Sequence, residues 1–72
     1  MQTKNLGLVT YLKYNGLSYE IISSGKQKDF IFQDNAKVNE LKDNYYHNKG
    51  QVDALTFMSV YKSLKSEMEE AN

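Results

Sequence analysis

His47 is the first residue to consider for chemistry, because histidine is the side-chain type that changes charge near neutral pH and this sequence holds one. A general base also needs a nucleophile to activate and a group to orient it. No serine, cysteine or acidic residue is arranged in the sequence to do either for His47. Its surroundings, from Asn44 to Gly50, are typical of a helix end at which a histidine meets the last carbonyl groups.

The other residue types that support catalysis or metal binding are scattered. The sequence has no cysteine, and its carboxylates form no calcium loop, di-metal motif or acid–base pair. Its four glycines stand alone, so there is neither a phosphate-binding loop nor a nucleophile elbow. We therefore expect a protein that is not an enzyme and that binds no metal or cofactor.

Six tyrosines in 72 residues are the feature most open to a functional interpretation. Three of them, Tyr19, Tyr45 and Tyr61, fall on predicted core faces. Tyr14 and Tyr46 do not, and Tyr46 lies next to His47 and near Lys42. Exposed tyrosines suit a protein interface or a platform for stacking a base, although they could also only cover core edges. All three interpretations stay open from the sequence.

The elements that position these residues can be predicted from hydrophobic periodicity. Leu6, Leu8, Val9 and Leu12 predict a helix over about residues 5–15, with Thr3 or Asn5 as its N-cap and Gly16 as its left-handed stop.

Alternation with a period of two then predicts a β-hairpin over about residues 17–33, with Gly25 in its turn. Its inner face would carry Tyr19, Ile21, Phe30 and Phe32. Ile22 and Ile31 would lie on the outer face, where a helix or a second subunit would have to cover them.

Two further helices are predicted over about residues 35–48 and 53–69. The first begins at Asp34 or Asn35, has a narrow apolar stripe and is stopped by Gly50. The second should be the principal core helix, fraying at its acidic end, because seven apolar residues share one face: Ala54, Phe57, Met58, Val60, Tyr61, Leu64 and Met68. The sequence thus predicts one small α+β domain with the order α-β-β-α-α.

The length and charge of the chain limit the classes of partner that we expect. A core this small gains from self-association, and without cysteine or a usual zinc site we expect a homodimer. Nine lysines balance nine acidic residues and arginine is absent, which disfavours nucleic acid as a partner. No apolar run has the length of a signal peptide or a membrane span, so we expect a cytoplasmic protein and no membrane partner.

The run Thr3–Leu12 ending at Gly16, then Phe30–Phe32, Tyr45 and Phe57, resembles a family of small proteins, the domain of unknown function numbered 5659. The resemblance covers residues 3 to about 64. It implies a phage or mobile element of low-GC bacteria as the source, and it carries over no site residues.

Three functions follow as hypotheses. The first is a small binding protein that acts on a host protein, for example by inhibiting a defence protein, with Tyr14, Ile22, Ile31, Tyr46 and His47 as its possible interface. The second is a DNA-binding regulator whose Lys37, Lys42 and Lys49 meet phosphates. The third is a protein that sequesters a nucleotide-like molecule with Tyr14, Tyr46 and His47.

Overall fold

The computed structural model describes residues 1–70 as a three-stranded antiparallel sheet and three helices, which confirms the α+β class. In chain order the elements are β1 (Gln2–Thr3), α1 (Leu6–Tyr14), β2 (Tyr19–Ser24), β3 (Gln27–Phe32), α2 (Ala36–Tyr46) and α3 (Ala54–Glu70). The strand that the sequence did not predict, β1, joins the hairpin by pairing with β3. The strand order is therefore β1-β3-β2, with β3 in the centre.

The hairpin closes through a two-residue loop, Gly25 and Lys26, between the paired residues Ser24 and Gln27. Gly25 has a φ of +64°, whereas Lys26 does not have a positive φ. A positive φ at the first loop position alone is what a type II′ turn requires, and glycine adopts it without strain. The turn thus fixes a register in which Ile21 lies opposite Phe30 and Tyr19 opposite Phe32.

Helix α1 has the ends that its sequence predicts. Asn5 is the N-cap, and its Oδ1 accepts a hydrogen bond from the Leu8 N–H at 3.2 Å. At the other end Gly16 has a φ of +84°, and the Leu17 N–H donates to the Leu12 carbonyl at 3.2 Å. These bonds satisfy helix-end groups that would otherwise lack partners.

The core is centred on α1, which corrects the prediction that the third helix would dominate it. Five consecutive residues of α1, Leu8–Leu12, are buried, whereas α3 buries only Leu64 among its described residues. Helix α1 packs against both α2 and α3, and its apolar residues share one cluster with Phe30 and Phe32 of the sheet. A helix enclosed by the sheet and by two other helices buries almost its whole circumference. Helix α3 packs against the outside of α1 and buries only the stripe of residues that faces it.

Candidate interaction surface

A groove lies above α1, between the C-terminal end of α2 and the start of α3. Its volume is about 200 Å³. The residues that line it are mostly aromatic or apolar: Tyr11, Tyr45, Asn48, Gly50, Val52 and Phe57. Tyr11 and Tyr45 pack with their ring centroids 5.9 Å apart, so one wall of the groove is aromatic.

The loop after α2 reaches the groove through a left-handed turn at Asn48, which has a φ of 56°. The Lys49 N–H donates to the Asn44 carbonyl at 2.8 Å, which ends α2 two residues before the predicted stop at Gly50. Gly50 has a different role. A Cβ at this position would lie 2.7–2.8 Å from the Tyr11 ring, so the absent side chain lets the loop pack flat on that ring.

The start of α3 is fixed by Asp53 and Tyr14. The Asp53 Oδ2 accepts hydrogen bonds from the Thr56 N–H at 2.9 Å and from the Thr56 hydroxyl at 2.7 Å, and these bonds lower the pKa of Asp53. The Asp53 N–H donates to the Tyr14 hydroxyl at 2.9 Å, and the Tyr14 ring lies 6.2 Å from that of Phe57. Tyr14 therefore connects the end of α1 to the first turn of α3.

Three large apolar side chains at the start of α3 are exposed, and we call them the α3 patch: Val52, Leu55 and Met58. Leu55 is 83% exposed, Met58 49% and Val52 38%. Leu55 and Met58 are three residues apart on α3 and so are neighbours on its surface. Val52 also lines the groove, so the patch adjoins the groove at this residue.

The predicted interface residues Tyr14 and Tyr46 contact opposite ends of α1: Tyr14 is its last residue, whereas the Tyr46 hydroxyl accepts a hydrogen bond at 3.5 Å from the side chain of the N-cap Asn5. Tyr14 is half-buried, while Tyr46 is 54% exposed with its ring edge-on to Tyr45. His47 is exposed and caps α2, with its Nδ1 2.8 Å from the Asp43 carbonyl oxygen. This is the helix-end contact that the sequence suggested for His47.

The other two predicted interface residues, Ile22 and Ile31, lie on the outer face of the sheet. Their register partners are Asp29 and Glu20, so each isoleucine has a carboxylate beside it on that face. Ile22 is 44% exposed and Ile31 is half-buried. The structure therefore does not bring the five predicted interface residues together on one surface.

Sequence reasoning missed the α3 patch, since it placed Met58 on the core face of the third helix and gave Leu55 no role. Periodicity identifies an apolar face but does not say how much of it a neighbour covers. The excess of apolar residues on α3 over what one stripe can bury was the available signal.

A polar cluster on the opposite end of α3, which we call the Lys13 cluster, was also missed. Lys13, Tyr19 and Glu67 come from α1, β2 and α3. The Tyr19 hydroxyl donates to Glu67 Oε2 at 2.7 Å, and Lys13 Nζ donates to the Tyr19 hydroxyl at 3.1 Å and forms an ion pair with Glu67. Glu67 is therefore anchored, although its sequence position suggested a fraying helix end.

The pKa values in this cluster reflect two opposed effects. Burial acts to raise the pKa of Glu67, but the hydrogen bonds from Lys13 and Tyr19 outweigh it and lower that pKa. Burial likewise acts to lower the pKa of Lys13, and its bonds to Glu67 and Tyr19 raise it instead. For Tyr19, burial raises the pKa and the bond to Glu67 adds to this effect, which together outweigh the lowering by the hydrogen bond from Lys13. The cluster therefore holds a protonated lysine and an ionised carboxylate at neutral pH.

Two further properties concern only residues 1–70. No three histidine, cysteine or acidic side chains among them lie close enough together to bind a metal ion. None of the three helices combines the length and the apolar character needed to cross a membrane.

Comparison with known proteins identifies a family. The model of the family described as a domain of unknown function, DUF5659, matches residues 1–70. The chain belongs to this family. Its matched region includes every helix and strand, so this compact arrangement of a β1-β3-β2 sheet and three helices is the fold of a DUF5659 domain. No curated protein and no solved structure matches the chain.

Proposed function

We propose that this DUF5659 domain is a non-catalytic binding protein that docks another protein on the α3 patch and its groove. The observation that carries the proposal is the exposure of Leu55, at 83%, beside Met58 and Val52. Single exposed apolar residues are common, but neighbouring ones beside an apolar-lined groove mark sites of protein interaction. The partner would present one large apolar side chain to the groove.

The size of the groove favours a protein over a nucleotide-like molecule. Its volume of about 200 Å³ lies below the range of roughly 300–1,000 Å³ that small-molecule pockets usually have. Its lining also includes no lysine that could neutralise a phosphate. A protein side chain needs neither feature, because the rest of its interface lies outside the groove.

The biological setting is part of the same proposal. We place the protein in the cytoplasm of a low-GC bacterium, encoded by a phage or mobile element, with a host protein such as a defence protein as its partner. The family resemblance supports this setting, and so does a composition rich in lysine and asparagine without arginine, which is typical of AT-rich genomes.

The test compares two double variants as baits in lysate of the natural host. Leu55→Ser with Met58→Ser removes the apolar patch, whereas Ser59→Ala with Ser66→Ala changes two exposed positions on the same helix. We expect a host protein captured by the native chain and by the serine-to-alanine control to be lost from the patch variant. All three should remain folded, since every changed residue is exposed, with the patch variant slightly less stable and the control slightly more stable than the native chain because serine is a poorer helix former than leucine, methionine or alanine.

Equal capture by the patch variant would show that α3 is not the docking surface. Thermal-shift screening against nucleotides covers the remaining alternative, because a ligand that binds only the folded state raises the melting temperature. A nucleotide-dependent rise without any captured protein would overturn the proposal.

A further inference from the structure

Strand β2 lies at an edge of the sheet, and its backbone geometry shows which groups face outward. The Phe32 N–H donates to the Met1 carbonyl at 2.8 Å, and the Phe32 carbonyl accepts from the Met1 amino group at 2.8 Å. Phe32 therefore directs its backbone groups towards β1, and Tyr19, opposite Phe32, directs its own away from β3. Ile21, two residues on, does the same.

These outward groups have no neighbour in the sheet. Within residues 1–70, the only strand paired with β2 is β3, and neither Tyr19 nor Ile21 makes a backbone hydrogen bond outside that pairing. An unpaired strand edge is a template for another strand, and natural proteins normally protect it with lysine, proline, a bulge or a short length.

The two edges of this sheet differ in that protection. The β1 edge is two residues long and is followed by Lys4, whose Nζ binds Gln27 and pairs with Asp29 on the outer face. Strand β2 is six residues long, contains no lysine or proline, and pairs with β3 without a bulge. Of the two edges, within residues 1–70, the β2 edge at Tyr19 and Ile21 therefore lacks this protection.

We propose that β2 pairs with β2 of a second copy of this chain, antiparallel about a twofold axis at Ile21, to make a six-stranded sheet. In an antiparallel pair, residues whose backbone groups face the partner lie opposite each other. Ile21 then lies opposite Ile21 of the second copy and exchanges both backbone hydrogen bonds with it.

A twofold axis could pass through other positions of β2, and the side chains favour the register centred on Ile21. An axis at position 20 would place two Glu20 carboxylates opposite each other, which is destabilising. With the axis at Ile21, Glu20 lies opposite Ile22 of the second copy, and the exposed Ile22 side chain gains a neighbour on the outer face. An axis at position 22 also avoids the carboxylate pair but leaves Tyr19 beyond the paired region.

A second copy suits this edge because the chain has a formal net charge of zero, so two copies approach without overall repulsion. Pairing through one strand buries little area, so we expect weak, reversible association, which sedimentation equilibrium up to millimolar concentration detects. Exchange protection of the Ile21 N–H should rise over the same concentrations.

Charge substitutions on the outer face test the register. Ile22→Glu places a carboxylate opposite Glu20 of the second copy at two symmetric positions, and we expect the dissociation constant to rise about tenfold or more. Combining Ile22→Glu with Glu20→Lys makes both positions attractive and should restore association. Gln27→Glu is the matched control, since it adds one negative charge to the same face on the central strand and should leave association unchanged.

Two results would overturn the proposal. One is a strictly monomeric native chain at millimolar concentration. The other is an association that Ile22→Glu leaves unchanged and Leu55→Ser abolishes, which would place the contact on the α3 patch. A monomeric native chain leaves capture of a host protein unaffected, and loss of that capture in the patch variant leaves pairing of β2 unaffected, so the two proposals fail separately.

Discussion

At the scale of single residues, Gly7 shows how a missing side chain fixes a contact between helices. A Cβ at this position of α1 would overlap the hydroxyl oxygen of Tyr45 on α2, whereas the adjacent ring carbon would lie at an ordinary 3.4 Å. The glycine is required by one atom of one side chain. It is not required by the backbone, because Gly7 lies inside α1 and has no positive φ.

Gly7→Ala should therefore destabilise the fold by about 1–3 kcal/mol in the native chain, because the methyl group forces Tyr45 to move. In a Tyr45→Phe background the same substitution should stabilise by about 0.5–1 kcal/mol, because alanine is the better helix former. Urea unfolding of the four chains gives both values. The same sign in both backgrounds would show that the hydroxyl does not set the cost.

At the scale of elements, the Lys13 cluster is the contact that joins α1, β2 and the last turns of α3. Because the pKa of Glu67 is lowered in the folded state, its contribution to folding is present above the ordinary carboxyl value of 4.5 and is lost as pH falls through the lowered value. The contribution is small, since the Glu67 side chain is 40% exposed and solvent screens it.

We accordingly expect the free energy of unfolding to decrease below about pH 4.5, and to decrease less in Glu67→Gln than in the native chain. Glu69→Gln, which removes an exposed carboxylate two residues later, is the control and should follow the native profile. Denaturant unfolding between pH 6 and pH 3 measures all three. Parallel profiles for the native chain and Glu67→Gln would contradict a role for this carboxylate.

Elements differ in how far the sequence predicts them. Gly16, Asn5 and Asn35 mark helix ends through local hydrogen bonds, and the period of two in the hairpin follows from one buried sheet face, so these features were predictable. Two others were not. A two-residue strand has no periodicity, and the position of α1 within the core depends on contacts between distant elements.

The surface residues also divide into those that the sequence predicts and those that it does not. Tyr46 and Ile22 were predicted to lie outside the core and are exposed. The Lys13 cluster had no local signal, because Glu67 reaches residues 48 and 54 positions earlier in the chain. The α3 patch was assigned in part to the core, since an apolar helix face looks the same in sequence whether a neighbour covers it or not.

At the scale of the whole molecule, β1 is the strand that forms the fewest residue pairs in the sheet. It pairs through two residues, and the adjoining bond from the Met1 amino group to the Phe32 carbonyl joins positions 31 residues apart. Opening it therefore breaks few bonds and needs no other element to unfold, since α1 begins at Leu6.

Amide exchange should reveal this opening. The Phe32 N–H, bonded to the Met1 carbonyl, should exchange faster than the Ile31 N–H, which faces β2, even though the Phe32 side chain is buried. Hydrogen–deuterium exchange followed by NMR gives both rates. Equal protection would mean that β1 separates only when the whole domain unfolds.

The same pairing has a kinetic consequence. The hairpin closes through two residues and can form early, whereas β1 must wait until α1 and the hairpin have brought both ends of a long loop together. The strand that is first in the sequence would then be the last to join the sheet. Until β1 pairs, a folding chain exposes the edges of both hairpin strands. Slow pairing of β1 would then favour misassembly with other partly folded chains.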